Sequence, residues 1–73
     1  MIEVLFFGRM ADAAGVRHTS LPFSDGMRLS EVRDRLLPQV EGVRMSLNKV
    51  QVVDDQALRD GDEVAFFSVF SGG

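Results

Sequence analysis

The chain contains no cysteine. Small secreted domains usually strengthen thin cores with disulfides, so this absence points to a reducing compartment, the cytoplasm. Its one histidine, His18, has no second histidine or cysteine with which to complete a site, and no metal is expected. No basic leader precedes the apolar run at residues 2–7, which is also too short to span a bilayer. Neither a signal peptide nor a membrane segment is therefore expected. Basic residues are the minority: eleven acidic side chains against eight basic ones leave a net charge of −3. Seven of those eight are arginines, scattered along the chain, and nucleic-acid binding needs a clustered basic surface. Gly8, Gly15 and Gly26 do not make a phosphate-binding loop, and the carboxylates offer no paired acid and base.

What is present is a single small domain. Seventy-three residues lie near the lower limit at which one hydrophobic core holds a fold unaided. At the usual free energy per residue its stability is about 4–11 kcal/mol, which commits most apolar side chains to the core. A deep catalytic pocket is improbable in so small a body. An acidic surface with exposed apolar spots suits docking on a basic protein partner.

Residues 2–7 alternate with apolar groups on both faces and predict a strand in the middle of a sheet. Arg9 to Ala14 is compatible with a short helix closed by Gly15. Val16 to Phe23 reads as a second strand, and Ser24-Asp25-Gly26 as a turn. Ser30 is the expected N-cap of a helix from Glu31 to about Leu37, with Val32, Leu36, Leu37 and Val40 on its apolar side and Pro38 near its end. Val43–Leu47 and Val50–Val53 read as strands joined by a turn at Asn48-Lys49. Asp54-Asp55 and Asp60-Gly61-Asp62 are expected turns, and Glu63 to Val69 a last strand with Val64 and Phe66 inward. This order predicts an α+β fold, a β-grasp mixed sheet crossed by one long helix, with a short helix after the first strand, the first and last strands side by side in parallel and the second antiparallel to the first. Alternation then puts Leu5, Phe7, Ala65 and Phe67 on the opposite face of the sheet.

The last residues, Ser71-Gly72-Gly73, suggest a tail that works as a substrate. Glycine has no Cβ, so Gly72 and Gly73 can thread a channel that larger residues would block, and the five residues 69–73 reach about 17 Å from the body. A plain frayed end is the bland alternative. Phe7 and Phe67 are either ordinary core residues or an apolar binding patch on adjacent strands, and Phe70, beyond the strand, is the best candidate for an anchor in a partner. Asp60, Asp62 and Glu63 are either a solvated turn or charges that steer the domain to arginines of a partner.

The run Asp60-Gly61-Asp62-Glu63-Val64-Ala65-Phe66-Phe67 and the Ser71-Gly72-Gly73 end resemble the sulfur-carrier small subunit of molybdopterin synthase, as do Val4-Leu5-Phe6-Phe7-Gly8 and the short helix closing at Gly15. The resemblance implies a ubiquitin-like, non-catalytic subunit of a transferase complex, with no bound cofactor. A ubiquitin-activating-type adenylyltransferase would use ATP to convert the Gly73 carboxylate to an acyl-adenylate. Sulfur then replaces the adenylate, leaving a C-terminal thiocarboxylate (1-thioglycine). The tail enters the large synthase subunit, in a heterotetramer of two small and two large subunits, and gives its sulfur to cyclic pyranopterin monophosphate. That family usually has two prolines after the paired phenylalanines, where this chain has Ser68-Val69-Phe70. The segment Phe67-Ser68-Val69-Phe70-Ser71-Gly72-Gly73 is similar to the thiazole-synthesis sulfur carrier, which keeps that pathway open, although thiazole carriers usually lack a segment like Arg9 to Gly15. A ubiquitin-like interaction module without chemistry at its end is the alternative of another class.

Overall fold

The computed structural model describes residues 1–68. The elements run β1 (Ile2–Phe6), α1 (Arg9–Ala14), β2 (His18–Leu21), α2 (Leu29–Leu36), β3 (Arg44–Leu47), β4 (Val50–Val52) and β5 (Glu63–Phe67). They form one five-stranded sheet in the order β2-β1-β5-β3-β4. The two strands furthest apart in sequence, β1 and β5, are parallel neighbours at its centre, with Val4 opposite Val64 and Phe6 opposite Phe66. All the other pairings, β1 with β2, β3 with β5 and β3 with β4, are antiparallel. This is the β-grasp expected from the order of elements, with the predicted parallel and antiparallel partners of β1.

The period of two in β1 sorts its residues: Ile2, Val4 and Phe6 are buried while Glu3 and Leu5 are partly open. Val64 and Phe66 of β5 join them, and the Phe6 and Phe66 rings stack with centroids 5.6 Å apart. Leu29 and Val32 from α2, Met10 from α1, and Met27, Leu37 and Leu58 from the connections complete the core. With these side chains sealed on one side of the sheet, no element among the described residues forms a layer over the other side.

Gly8 makes the corner between β1 and α1. Its backbone, at φ 55 and ψ −126, lies in a region that only glycine enters without strain. Gly15 then ends α1 in the left-handed conformation, its N–H donating to the Ala11 carbonyl at 2.9 Å.

Several boundaries differ from the sequence reading. β2 is His18–Leu21 and not Val16–Phe23, because its antiparallel ladder with β1 holds only as far as Leu21 and Pro22 follows. β5 is Glu63–Phe67, and the expected continuation to Val69 lies outside the described residues. Helix α2 begins two residues before Glu31. Its cap position is Arg28, which makes no side-chain cap bond, and Ser30 is already inside the first turn. The capping acceptor comes from elsewhere: Asp55 takes the Ser30 N–H on Oδ1 at 2.9 Å and the Ser30 hydroxyl on Oδ2 at 2.9 Å. At Asp54-Asp55 only Asp54 lies in a bend. The Asn48-Lys49 turn is present with both residues at positive φ, 51 and 72, as a two-residue hairpin of type I′ requires.

Candidate functional site

The parallel pairing of β1 with β5 brings the ends of both strands to one place. Phe6 faces Phe66 in register, and the Phe7 N–H donates to the Phe66 carbonyl at 3.0 Å, so Phe7 and Phe67 follow side by side. On the other flank of β5, Arg44 is the register partner of Phe67. Phe67 thus lies between an aromatic neighbour and a cationic one. Phe7 is 53% exposed and Phe67 is half-buried, whereas Phe6 and Phe66, one residue back and on the opposite face, are in the core. Leu5 and Ala65 extend the same outer surface. Ala65, flanked in register by Leu5 and Ser46, is small enough to be nearly covered by its neighbours. Beside this surface an open groove of about 550 Å³ runs between Leu5, Phe7, Gly8, Ala11, Asp12 and Arg17. It is a shallow surface feature that offers apolar contact and one charge of each sign; it is not an enclosed reaction chamber.

The three acidic candidates lie at the other end of β5, where the strand begins. Asp60 is paired with the Met1 ammonium, whose hydrogen bond and charge lower the carboxyl pKa. Asp62 holds a turn: its Oδ1 accepts from Asn48 Nδ2 at 3.0 Å and its Oδ2 from the Arg59 N–H at 2.8 Å. Asn48 completes the link by accepting the Glu63 N–H at 2.9 Å. Glu63 stands opposite Glu3 in the β1–β5 register. The sequence candidates therefore separate into two groups, Phe7 and Phe67 at one end of the sheet and Asp60, Asp62 and Glu63 at the other. Phe70, Ser71, Gly72 and Gly73 lie outside the described residues.

Sequence reading did not find the polar cluster on the outer face of β1 and β2. Glu3 Oε1 meets His18 Nε2 at 2.6 Å, and Glu3 Oε2 accepts the Ser20 hydroxyl at 3.0 Å. These bonds, the one with His18 foremost, lower the Glu3 pKa. The signal was present in the alternation of the two strands, but only their register shows that Glu3 lies between His18 and Ser20. Among the described residues no three His, Asp or Glu side chains gather closely enough to hold a metal ion, and no helix is long and apolar enough to cross a membrane.

A mixed sheet with its first and last strands parallel at the centre, one helix-covered face and an apolar outer end defines a ubiquitin-like β-grasp domain. The crystal structure of SAMP1 from Haloferax volcanii shares this fold, with a TM-score of 0.80 over 99% of this chain and 98% of that one, at 21% sequence identity. The chain belongs to the ThiS family, which it matches over residues 4–73. It is 32% identical to a molybdopterin synthase sulfur carrier subunit of Chlamydomonas reinhardtii, across 99% of this chain and 98% of that one. It is 33% identical to the molybdopterin synthase sulfur carrier subunit of Escherichia coli K12, across 100% of both chains.

Proposed function

We propose that this protein is the sulfur carrier subunit of a molybdopterin synthase, acting in molybdenum cofactor formation in the cytoplasm. The observation that carries the proposal is the end-to-end match to two curated proteins of that name. The chemistry follows from the chain. A C-terminal carboxylate is a poor electrophile, so the Gly73 carboxylate is first adenylated by a ubiquitin-activating-type enzyme that uses ATP. Sulfur displaces the adenylate and leaves a thiocarboxylate, which is mostly ionised at neutral pH and needs no cysteine thiol to be a nucleophile. The carrier binds no cofactor and catalyses no step itself. It delivers its loaded end to the large synthase subunit, where the sulfur passes to cyclic pyranopterin monophosphate.

The surface at the end of β5 supports this reading. Phe67 and Phe7 offer a partner an apolar docking area beside the point where the chain continues toward Gly73. Phe70 adds an anchor, and Glu63 steers the more distant end of the domain. A heterotetramer of two carriers and two large subunits is the assembly that the family resemblance implies.

Intact mass of the protein incubated with its activating enzyme, ATP and a sulfur donor tests the proposal. Exchange of one oxygen for sulfur, abolished by deletion of Gly73, is the expected result; an unchanged mass rejects it. A second reading, thiazole synthesis, is favoured by Ser68-Val69-Phe70 in place of two prolines. Removal of the protein decides between them by which product, molybdopterin or thiazole, disappears.

A further inference from the structure

The sheet has two edges, β2 and β4, and they differ. On β2 the Glu3 carboxylate of the neighbouring strand holds His18 and Ser20, and Pro22, which has no N–H to offer, follows the strand. β4 has no such guard. Val50, Gln51 and Val52 carry neither charge nor proline. Val53 and Val50, 82% and 66% exposed, are the two most exposed large apolar residues among the described ones. The two-residue turn makes Leu47 and Val50 a hydrogen-bonded pair, so the N–H and C=O of Gln51 point away from β3, to the open edge.

The residues at the two ends of β4 identify the chain that fits this edge. Lys49 precedes the strand, and Asp54 and Asp55 come shortly after it. Asp55 is engaged with Arg28 and Ser30, but neither Lys49 nor Asp54 has an ion-pair partner among the described residues. Antiparallel pairing with a copy of the same segment brings a cation to an anion at both ends. We propose that the β4 edge is an interface for a second copy of this chain, two five-stranded sheets joining about a two-fold axis into one of ten strands.

The register follows from the pleat. Directly opposed residues share a face, and Val50 and Val52 lie on the face of Leu47 and Met45 while Gln51 lies on the other. Centring the axis on Gln51 satisfies this. Gln51 then exchanges N–H to C=O bonds with Gln51 of the second copy, Val50 meets Val52 of the second copy on each side of the axis, and Lys49 comes within one residue of Asp54. The contact is short, below the roughly 1,000 Å² of a lasting interface, so the dimer forms by mass action as concentration rises. β4 is two strands, about 10 Å, from β5, which leaves Phe7 and Phe67 uncovered and makes the dimer independent of the proposed sulfur chemistry.

Sedimentation velocity of the full chain over about a hundredfold range of concentration, with the Gln51 amide followed by hydrogen exchange in NMR, tests the proposal. The expected result is a mass rising toward that of a dimer, with Gln51 exchange slowed at least about twofold once half of the chains are paired. Val50→Lys, which sets a charge on the edge, should hold the chain monomeric. Lys49→Glu should weaken pairing at least about tenfold, and Asp54→Lys added to it should restore pairing; this couple also serves should Val50→Lys fail to fold. A monomer at every concentration overturns the proposal. So does a dimer whose Gln51 amide exchanges as fast as in dilute solution, or one abolished by Phe67→Asp and kept by Val50→Lys, which would seat the second copy on the outer face.

Discussion

Asp55, in the loop after β4, closes the start of α2 by accepting both the backbone N–H and the hydroxyl of Ser30, twenty-five residues earlier. Arg28 braces the same carboxylate, its Nε donating to Oδ2 at 2.8 Å. One side chain thus ties the helix that covers the core to the loop that leads into β5. Its arginine partner, with the Ser30 backbone next, lowers its pKa from 3.8 to about 2.

The sign of the pH dependence follows. The unfolded chain takes up this proton at a higher pH than the folded chain does, so the stabilisation is complete above about pH 4 and is lost as pH falls toward about 2. Replacing Asp55 with Asn should flatten that part of the acid unfolding curve. At neutral pH the same variant keeps an oxygen for the Ser30 N–H but loses the one that accepts from Arg28 Nε and the Ser30 hydroxyl, and should melt roughly 5 °C lower. Circular dichroism melts at several pH values test this, and a melting point unchanged at pH 7 would remove Asp55 from the role.

Adjacent phenylalanines should behave oppositely. Phe66 is fully buried against Phe6, and Phe66→Ala should cost about 3–5 kcal/mol, a large part of the stability of so small a domain. Phe67 faces the outer surface, and Phe67→Ala should cost about 1 kcal/mol. Chemical denaturation of the two variants checks the contrast; equal losses would mean that the alternation of β5 does not govern its energetics.

Phe67→Asp should leave the chain folded and abolish co-purification with the large molybdopterin synthase subunit. An aspartate placed beside Phe7 disrupts the apolar area that the partner would cover. Retained binding by a folded Phe67→Asp protein would move the interface elsewhere.

Lys49 holds a positive φ of 72, where glycine is at ease and a side chain is not. Lys49→Gly should therefore stabilise the hairpin by about 0.5–1 kcal/mol, read as a raised denaturation midpoint with unchanged slope. A fall in the midpoint would show that the lysine side chain contributes something its backbone strain conceals.

The elements written by local pattern were legible in the sequence: the alternation of β1, the Gly15 stop after α1 and the Asn48-Lys49 turn all appear where their residues place them. The start of α2 was not, because its cap arrives from Asp55 across the fold and Ser30, a good cap by type, is instead one of the groups being capped. The acidic run at residues 60–63 read as one surface feature, yet Asp62 is occupied by Asn48 and the Arg59 backbone while Asp60 holds the Met1 ammonium. Spacing along the chain cannot show which charges are already engaged. The adjacency of Phe7 and Phe67 was visible only through the assumed parallel register of β1 and β5.

The position of β5 also bears on how the molecule comes into being. β5, which follows the other four strands in chain order, is the middle plank of the sheet, with β1 on one side and β3 on the other. Until it clears the ribosome, β1–β2 and β3–β4 are two separate hairpins, each marginal by itself in water. A chain cut short before Glu63 should stay unfolded and fall to proteases, because the plank that joins the two halves of the sheet is missing.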